Sequence, residues 1–297
     1  MSYILACAPC CWGVESSDNP HNPDWMKVLT ETRLAGYFGT ELGPYGFLPL
    51  DADVINTALF HKELDVCAGT IFEPLSDPRH YEEIINKTKR LCGLLENIGC
   101  EKLVVIDCVN DIRSQFAGMS DRAPRLDAPH WIHMMDTIRE ISAIAKQHKI
   151  RAVVHPHAGG YIEYQDEIDR ALHDLPHSDV GLCLDTGHLY YAGMDPAQSL
   201  IDYADRLEYV HFKDVNKARL DAAIEQQVGF WQACADGVMC PLGQGAIDYQ
   251  QVAAALSSIG YHGWITIEQE RDPRNADTTL QDIKQSRQFL IESGLAL

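Results

Sequence analysis

Four acid or imidazole side chains stand at, or just beyond, the ends of short apolar runs in the second half of the chain. Asp185 closes Val180-Gly-Leu-Cys-Leu, His211 closes Leu207-Glu-Tyr-Val, and Glu268 closes Trp264-Ile-Thr-Ile. Glu163 follows the run Ala152-Val-Val-His155 after a short loop. Carboxylate oxygens with one imidazole suit Mn²⁺, Co²⁺, Fe²⁺ or Mg²⁺ better than a structural zinc, which favours Cys and His. A cation held this way binds a carbonyl and an adjacent hydroxyl of a polyol together, and it acidifies the C–H between them. The expectation is a divalent-metal site that promotes enolisation.

Apolar runs of this length, bounded by Gly, Pro and charge, read as buried parallel strands. Strands are predicted over 3–8, 39–42, 64–70, 102–107, 151–155, 180–185, 207–211 and 263–267. Helices are predicted between them over 24–35, 51–61, 78–98, 130–148, 164–173, 196–204, 248–259 and 277–293. Eight strand–helix units make a (β/α)8 TIM barrel, class α/β, the economical fold, with a single domain over 1–297. Such barrels place their chemistry at the carboxyl ends of the strands, where the four residues lie. A doubly wound sheet would carry a glycine-rich phosphate turn after its first strand. Pro9-Cys-Cys-Trp-Gly13 stands there instead. Connections over 12–23, 110–129 and 216–245 exceed a minimal turn and follow strand ends, as lids or substrate walls do.

Composition narrows the partners. The 297 residues are 46% hydrophobic, enough for a sizeable core, and 24 basic against 43 acidic residues give −19. That balance argues against nucleic-acid backbones and anionic membranes, which call for clustered Lys and Arg. The start, Met1-Ser-Tyr-Ile-Leu-Ala-Cys-Ala-Pro9, does not read as a signal peptide, and no run reaches the ~20 apolar residues of a membrane-spanning helix. Ten cysteines, several inside apolar patterns, do not read as a disulfide framework, so a reducing cytoplasm is expected. Cys7, Cys10 and Cys11 lack a matching second pair and read as structural thiols.

Asp185-Thr-Gly-His188 is the sharpest local motif. Either both side chains return to one barrel mouth, or Asp185 caps the next helix and His188 lies at the surface. His211-Phe-Lys-Asp214 adds a second imidazole and two charges on the same rim. Glu268 and Glu270 alternate with Gln269, so both point one way, and their repulsion calls for a cation or proton between them.

These motifs, with Gly243-Gln-Gly-Ala-Ile-Asp248, Gly39-Thr-Glu-Leu-Gly43 and Glu268-Gln-Glu-Arg-Asp-Pro273, resemble the xylose-isomerase-like barrel superfamily of sugar isomerases and epimerases. Within it the pattern is similar to the inosose (2-keto-myo-inositol) dehydratase branch, over nearly the whole chain. The resemblance implies one divalent metal (Mn, Co, Mg or Fe, with Zn a further candidate) at the ends of the fifth to eighth strands. Carried over by position, Asp185 is the sixth-strand ligand, His211 the seventh and Glu268 the eighth. Many superfamily members end the fifth strand with Glu, whereas this chain has His155-Pro-His157-Ala-Gly-Gly160. Glu163 is assigned as the fourth ligand, with His155 or His157 as the alternative.

The expected reaction is loss of water from a keto-polyol, with Glu163 or Glu268 removing the α-proton and a histidine such as His188 protonating the departing hydroxyl. Candidate substrate-binding residues are His155, His157, Lys213, Glu41, Glu270 and Trp12, with Phe72 as a second ring-stacking aromatic. Each has a plainer reading as an orienting hydrogen bond, an ion pair or core packing. Epimerisation or aldose–ketose isomerisation of an unphosphorylated sugar shares the same enolisation step and stands as the alternative. A metal-dependent phosphodiesterase or endonuclease is the different-class alternative, disfavoured by charge. The partners expected are a small polyol or sugar and, as in many such barrels, a second copy of the chain.

Overall fold

The computed structural model describes residues 3–295. Among them eight parallel strands close a barrel: β1 (Ile4–Cys7), β2 (Gly39–Glu41), β3 (Asp65–Glu73), β4 (Lys102–Asp107), β5 (Arg151–Val154), β6 (Gly181–Asp185), β7 (Leu207–Phe212) and β10 (Trp264–Ile267). The first and last strands pair in parallel, Ile4 with Trp264 through Cys7 with Ile267, and complete the ring. Between β7 and β10, β8 (Asp214–Val215) and β9 (Met239–Cys240) form a separate antiparallel ribbon. Every predicted strand is present. β3 runs three residues past its expected end, because Ile71–Glu73 pair onward with Val105–Asp107.

The period of two along the strands sorts side chains to the two faces. Ala6, Cys67, Val104, Val153, Cys183 and Tyr209 form one buried cluster. Their neighbours in sequence, such as Leu5, Leu103, Val154, Leu184 and Val210, belong to the larger core that includes the helices. Glu41, His155, Asp185, His211 and Glu268 each continue the inward series by two residues, above Gly39, Val153, Cys183, Tyr209 and Thr266. Backbone bonds from His155 N to Val105 O (3.0 Å) and from Glu268 N to Phe212 O (3.0 Å) extend the ladder beyond the strand ends. These side chains therefore stand on a rigid frame rather than on loops.

The connection over 216–245 is largely helical, with Lys217–Glu225, Phe230–Ala235 and the ribbon. Its apolar residues Leu220, Ala223, Phe230, Ala233, Cys234 and Val238 are all buried, which is why a stretch read as a loop is ordered. After β1 a short helical turn, Pro9–Trp12, ends at Gly13 with φ +76°. A Cβ at Gly13 would meet the Pro273 backbone at 2.4 Å, so glycine lets the β1 loop lie directly on the loop after β10. No helix among the described residues is long and apolar enough to cross a membrane.

Candidate active site

One ligand-type atom each from His155, Asp185, His211 and Glu268 lies within 4.8 Å of the other three. Three of the side chains are buried, and Glu268 is the most accessible at 12%. Asp185 also answers the alternative posed by its motif. Its Oδ1 caps the helix Thr186–Tyr191 by accepting from His188 N at 2.8 Å, while Oδ2 stays buried with no hydrogen-bond partner. His188 is buried too, so capping and convergence at the mouth occur together. His155 Nδ1 and His211 Nδ1 are likewise buried and unpartnered. None of these three atoms makes a hydrogen bond, although Asp185 Oδ2 has Lys213 Nζ at 3.4 Å and His211 Nδ1 has Glu268 Oε2 at 3.2 Å, and a shared cation would satisfy all three. The residues present fit a divalent metal.

A second carboxylate orients the site from below. His211 Nε2 lies 2.8 Å from Glu41 Oε1, which also accepts from Tyr209 Oη at 2.7 Å. With an Nε2 proton directed at Glu41, His211 turns Nδ1 toward Glu268 Oε2, 3.2 Å away, where it would offer a lone pair to a metal once deprotonated. Glu41 lines the cavity, but its carboxylate is engaged by the histidine and the tyrosine.

Beside this group stand His157, His188 and Glu270, all buried and again within 4.8 Å of one another through one atom each. Lys213, fully buried, lies between the two sets. Its Nζ is 3.2 Å from Glu268 and 3.4 Å from Asp185, it pairs with Glu270, and it lies 2.8 Å from His188 Nε2. Gly187 makes room for it, since a Cβ there would meet Lys213 Cγ at 2.6 Å. Ala158 N donates to His188 Nδ1 (3.2 Å), and His157 Nδ1 lies 2.9 Å from Ala158 O, which leaves His157 Nε2 as an acceptor.

Burial and neighbouring charges compete in setting the protonation of the site. It pushes Asp185 up to about 7, against Lys213 beside it. It would raise Glu268 as well, but His211 and Lys213 hold that carboxyl well below the usual carboxylate range. Burial, reinforced by neighbouring cationic or imidazole groups, drives His155, His157 and His188 well below the usual histidine value. Neutral imidazoles are what ligation and hydrogen-bond acceptance require. His211 is the exception: burial opposes its charge, but Cys183, Glu268 and Glu41 outweigh burial and hold it well above the usual histidine value, so a metal at Nδ1 would displace a proton.

Above the cluster opens a cavity of about 380 Å³, bordered by His155, His157, Glu268, Glu270 and Phe72, with Val14–Ser17 from the β1 loop on one side. Phe72 meets His157 edge-on at 5.4 Å and Trp231 at 6.2 Å. Phe230 lies 5.2 Å from His157 and 5.6 Å from His188, so the 216–245 connection packs behind these two histidines.

Two sequence expectations are not met. Glu163 does not join the cluster. Its buried carboxylate accepts from Gly118 N (2.8 Å), Gly159 N (2.9 Å) and Arg113 Nη2 (3.3 Å), and Arg113 is itself held by Glu167. The loop after β5 turns Glu163 outward to brace the β4 loop, while His155, continuing the strand, takes the inward position. Trp12 does not border the cavity. It is fully buried, and Nε1 donates to Glu31 Oε2 at 2.6 Å. Sequence reading missed Glu15, Phe230 and Trp231, because no strand end or motif marks them.

Comparisons with known proteins bear on the family and the fold. The family model for the xylose isomerase-like TIM barrel matches residues 29–293. The chain belongs to that family. This xylose isomerase-like barrel is 30% identical to the inosose dehydratase of Geobacillus thermodenitrificans over 268 residues, covering 90% of this chain and 89% of the relative. It is 31% identical to the inosose dehydratase of Halalkalibacterium halodurans, covering 90% and 87%. Among solved structures, the IOLI protein with a zinc atom superposes with a TM-score of 0.75 at 18% identity, over 98% of this chain and 97% of that one. D-allulose 3-epimerase from Methylomonas sp. in complex with D-allulose gives 0.69 at 16%, over 98% and 97%. At these identities the solved structures share the barrel fold with this family member.

Proposed function

We propose that this xylose isomerase-like barrel is a divalent-metal-dependent lyase that removes water from a cyclic keto-polyol of the 2-keto-myo-inositol type. The enzyme class, dehydratase or isomerase, rests on the relatives. The observation that carries the metal is the set of buried, unpartnered atoms on His155, Asp185 and His211 beside Glu268. Two imidazole nitrogens and two carboxylate oxygens suit Mn²⁺, Fe²⁺, Co²⁺ or Zn²⁺ better than Mg²⁺, which prefers oxygen and water. When bound there, the ion supplies Lewis acidity that favours the enolate of a bound ketone.

The chain's own residues do the rest. Glu268, charged and the most exposed of the four, takes the α-proton. Lys213 balances Asp185, Glu268 and Glu270 in a space from which water is excluded, and it steadies negative charge developing on the substrate. His157 and Glu270 hold ring hydroxyls, His188 positions Lys213, and Phe72 offers an edge to the apolar face of the ring. Elimination is favoured over two-carboxylate epimerisation through Glu163 and Glu268 because Glu163 is locked to Arg113. Metal analysis of the purified protein should find about one divalent ion per chain, removable by chelator. Incubation with 2-keto-myo-inositol should then produce the absorbance of a conjugated enol. Deuterium uptake from solvent into ketohexoses without water loss from the inosose would overturn the dehydratase reading in favour of the isomerase.

A further inference from the structure

Glu15 is a part-buried acid in the cavity wall, and one of its carboxyl oxygens has no hydrogen-bond partner. It lies two residues past Gly13, on the loop that glycine clamps against Pro273. Trp12, buried and bonded to Glu31, anchors the loop from behind. Glu15 therefore borders the same cavity as His155, Glu268 and Glu270, on a segment pinned at its root. Its Oε1 is buried and makes no hydrogen bond. A buried carboxyl oxygen left this way is costly, unlike those of Glu163 and Asp107, which accept backbone N–H bonds.

Resting on the dehydratase reading, we propose that Glu15 is the general acid that protonates the departing hydroxyl of the keto-polyol. The step balances without a redox partner. The α C–H bond breaks, its proton passes to Glu268, and its electron pair enters the enolate. That pair then forms the ring C=C as the β C–O bond breaks, and the leaving oxygen takes the proton of Glu15 and departs as water. Glu15 is left as a carboxylate, and the proton held by Glu268 returns to it through solvent before the next turnover.

The surroundings favour a carboxyl that keeps its proton. Burial, then the negative charge of Glu270, pushes Glu15 up to about 8, with Lys213 opposing and Glu268 adding to the rise. His21, Arg271, Asp272 and Arg274 border the outer side of the loop with it. An acid of this strength still holds its proton at neutral pH, where general acids contribute about 10²–10⁴-fold.

The test compares metal-loaded wild type with Glu15→Gln and Glu15→Asp. Glu15→Gln should lose water elimination from 2-keto-myo-inositol by roughly 100-fold or more, while solvent-deuterium exchange at the α-carbon stays within about 3-fold. Glu15→Asp should recover part of the elimination. The wild-type minus Glu15→Gln infrared difference at pH 7 should show the carbonyl stretch of a protonated carboxylic acid, which fades as the pH is raised past 9. Metal content and melting temperature report whether the variants fold. Parallel loss of exchange and elimination, unchanged elimination, or no protonated-acid band would overturn the role of Glu15 while leaving the dehydratase intact. A wild type that eliminates no water would instead overturn the dehydratase reading and this role with it.

Discussion

Glu41 and His211 are joined by a 2.8 Å bond between carboxylate and ring Nε2, although 170 positions separate them in the chain. This contact fixes which face of the imidazole is free, and it does so from the second strand for a ligand on the seventh. Removing it should cost metal affinity without removing a ligand. Glu41→Gln is expected to weaken metal retention roughly 10–100-fold, and His211→Ala to abolish it, as read by metal content after dialysis against graded chelator.

The identity of the fourth ligand separates cleanly by mutation. His155→Ala and Asp185→Asn should each leave the purified protein with little bound metal. Glu163→Gln should retain about one ion per chain, because that carboxylate faces Arg113, Gly118 and Gly159. Metal loss in Glu163→Gln with retention in His155→Ala would reverse the assignment.

Stability should depend on pH in a sense opposite to that of a protein held by surface ion pairs. Burial raises Glu163 and Asp107 each to about 7, against the backbone N–H groups they accept. In the unfolded chain both groups ionise near 4. Between roughly 4 and 7 the folded state therefore binds more protons, and stability falls as pH rises through that window. For these groups, lowering the pH from 8 to 6 should raise the melting temperature by a few degrees. Glu163→Gln, which cannot ionise, should flatten the profile measured by calorimetry.

Trp231 is 37% exposed and packs on the core residue Phe230 and, farther off, on Phe72 and His157, which border the cavity. Trp231→Ala is expected to raise KM for the keto-polyol about 10-fold, with a smaller change in kcat and little change in melting temperature. A fall in kcat at unchanged KM would show that Trp231 acts on the chemistry rather than on the seating of Phe72 and His157.

The barrel was legible because parallel strands buried on both faces leave runs such as Val180–Asp185 that nothing else explains. Asp185, His211 and Glu268 were legible for the same reason: a polar residue ending such a run must face the mouth. His155 carried the identical signal, closing Ala152-Val-Val, and chemistry obscured it, since a carboxylate was sought where an imidazole stands. Glu163 could not be placed from sequence, because the direction of a loop depends on Arg113, 50 residues away and fully buried. Glu15 was illegible on other grounds. Nothing local marks it, and its environment comes from Glu270 and Lys213, which the fold alone brings near.

The seam between Ile4–Cys7 and Trp264–Ile267 also dictates how the protein must be born. The ring cannot close until the last barrel strand has emerged from the ribosome, and that strand also brings Glu268. A nascent chain stopped before it exposes two strand edges, on β1 and β7, and lacks one of the four ligand positions. Capture of the proposed cation would therefore be a late event in biosynthesis, coupled to closure of the sheet, and truncated chains should go to aggregation or degradation rather than persist as half-formed enzymes.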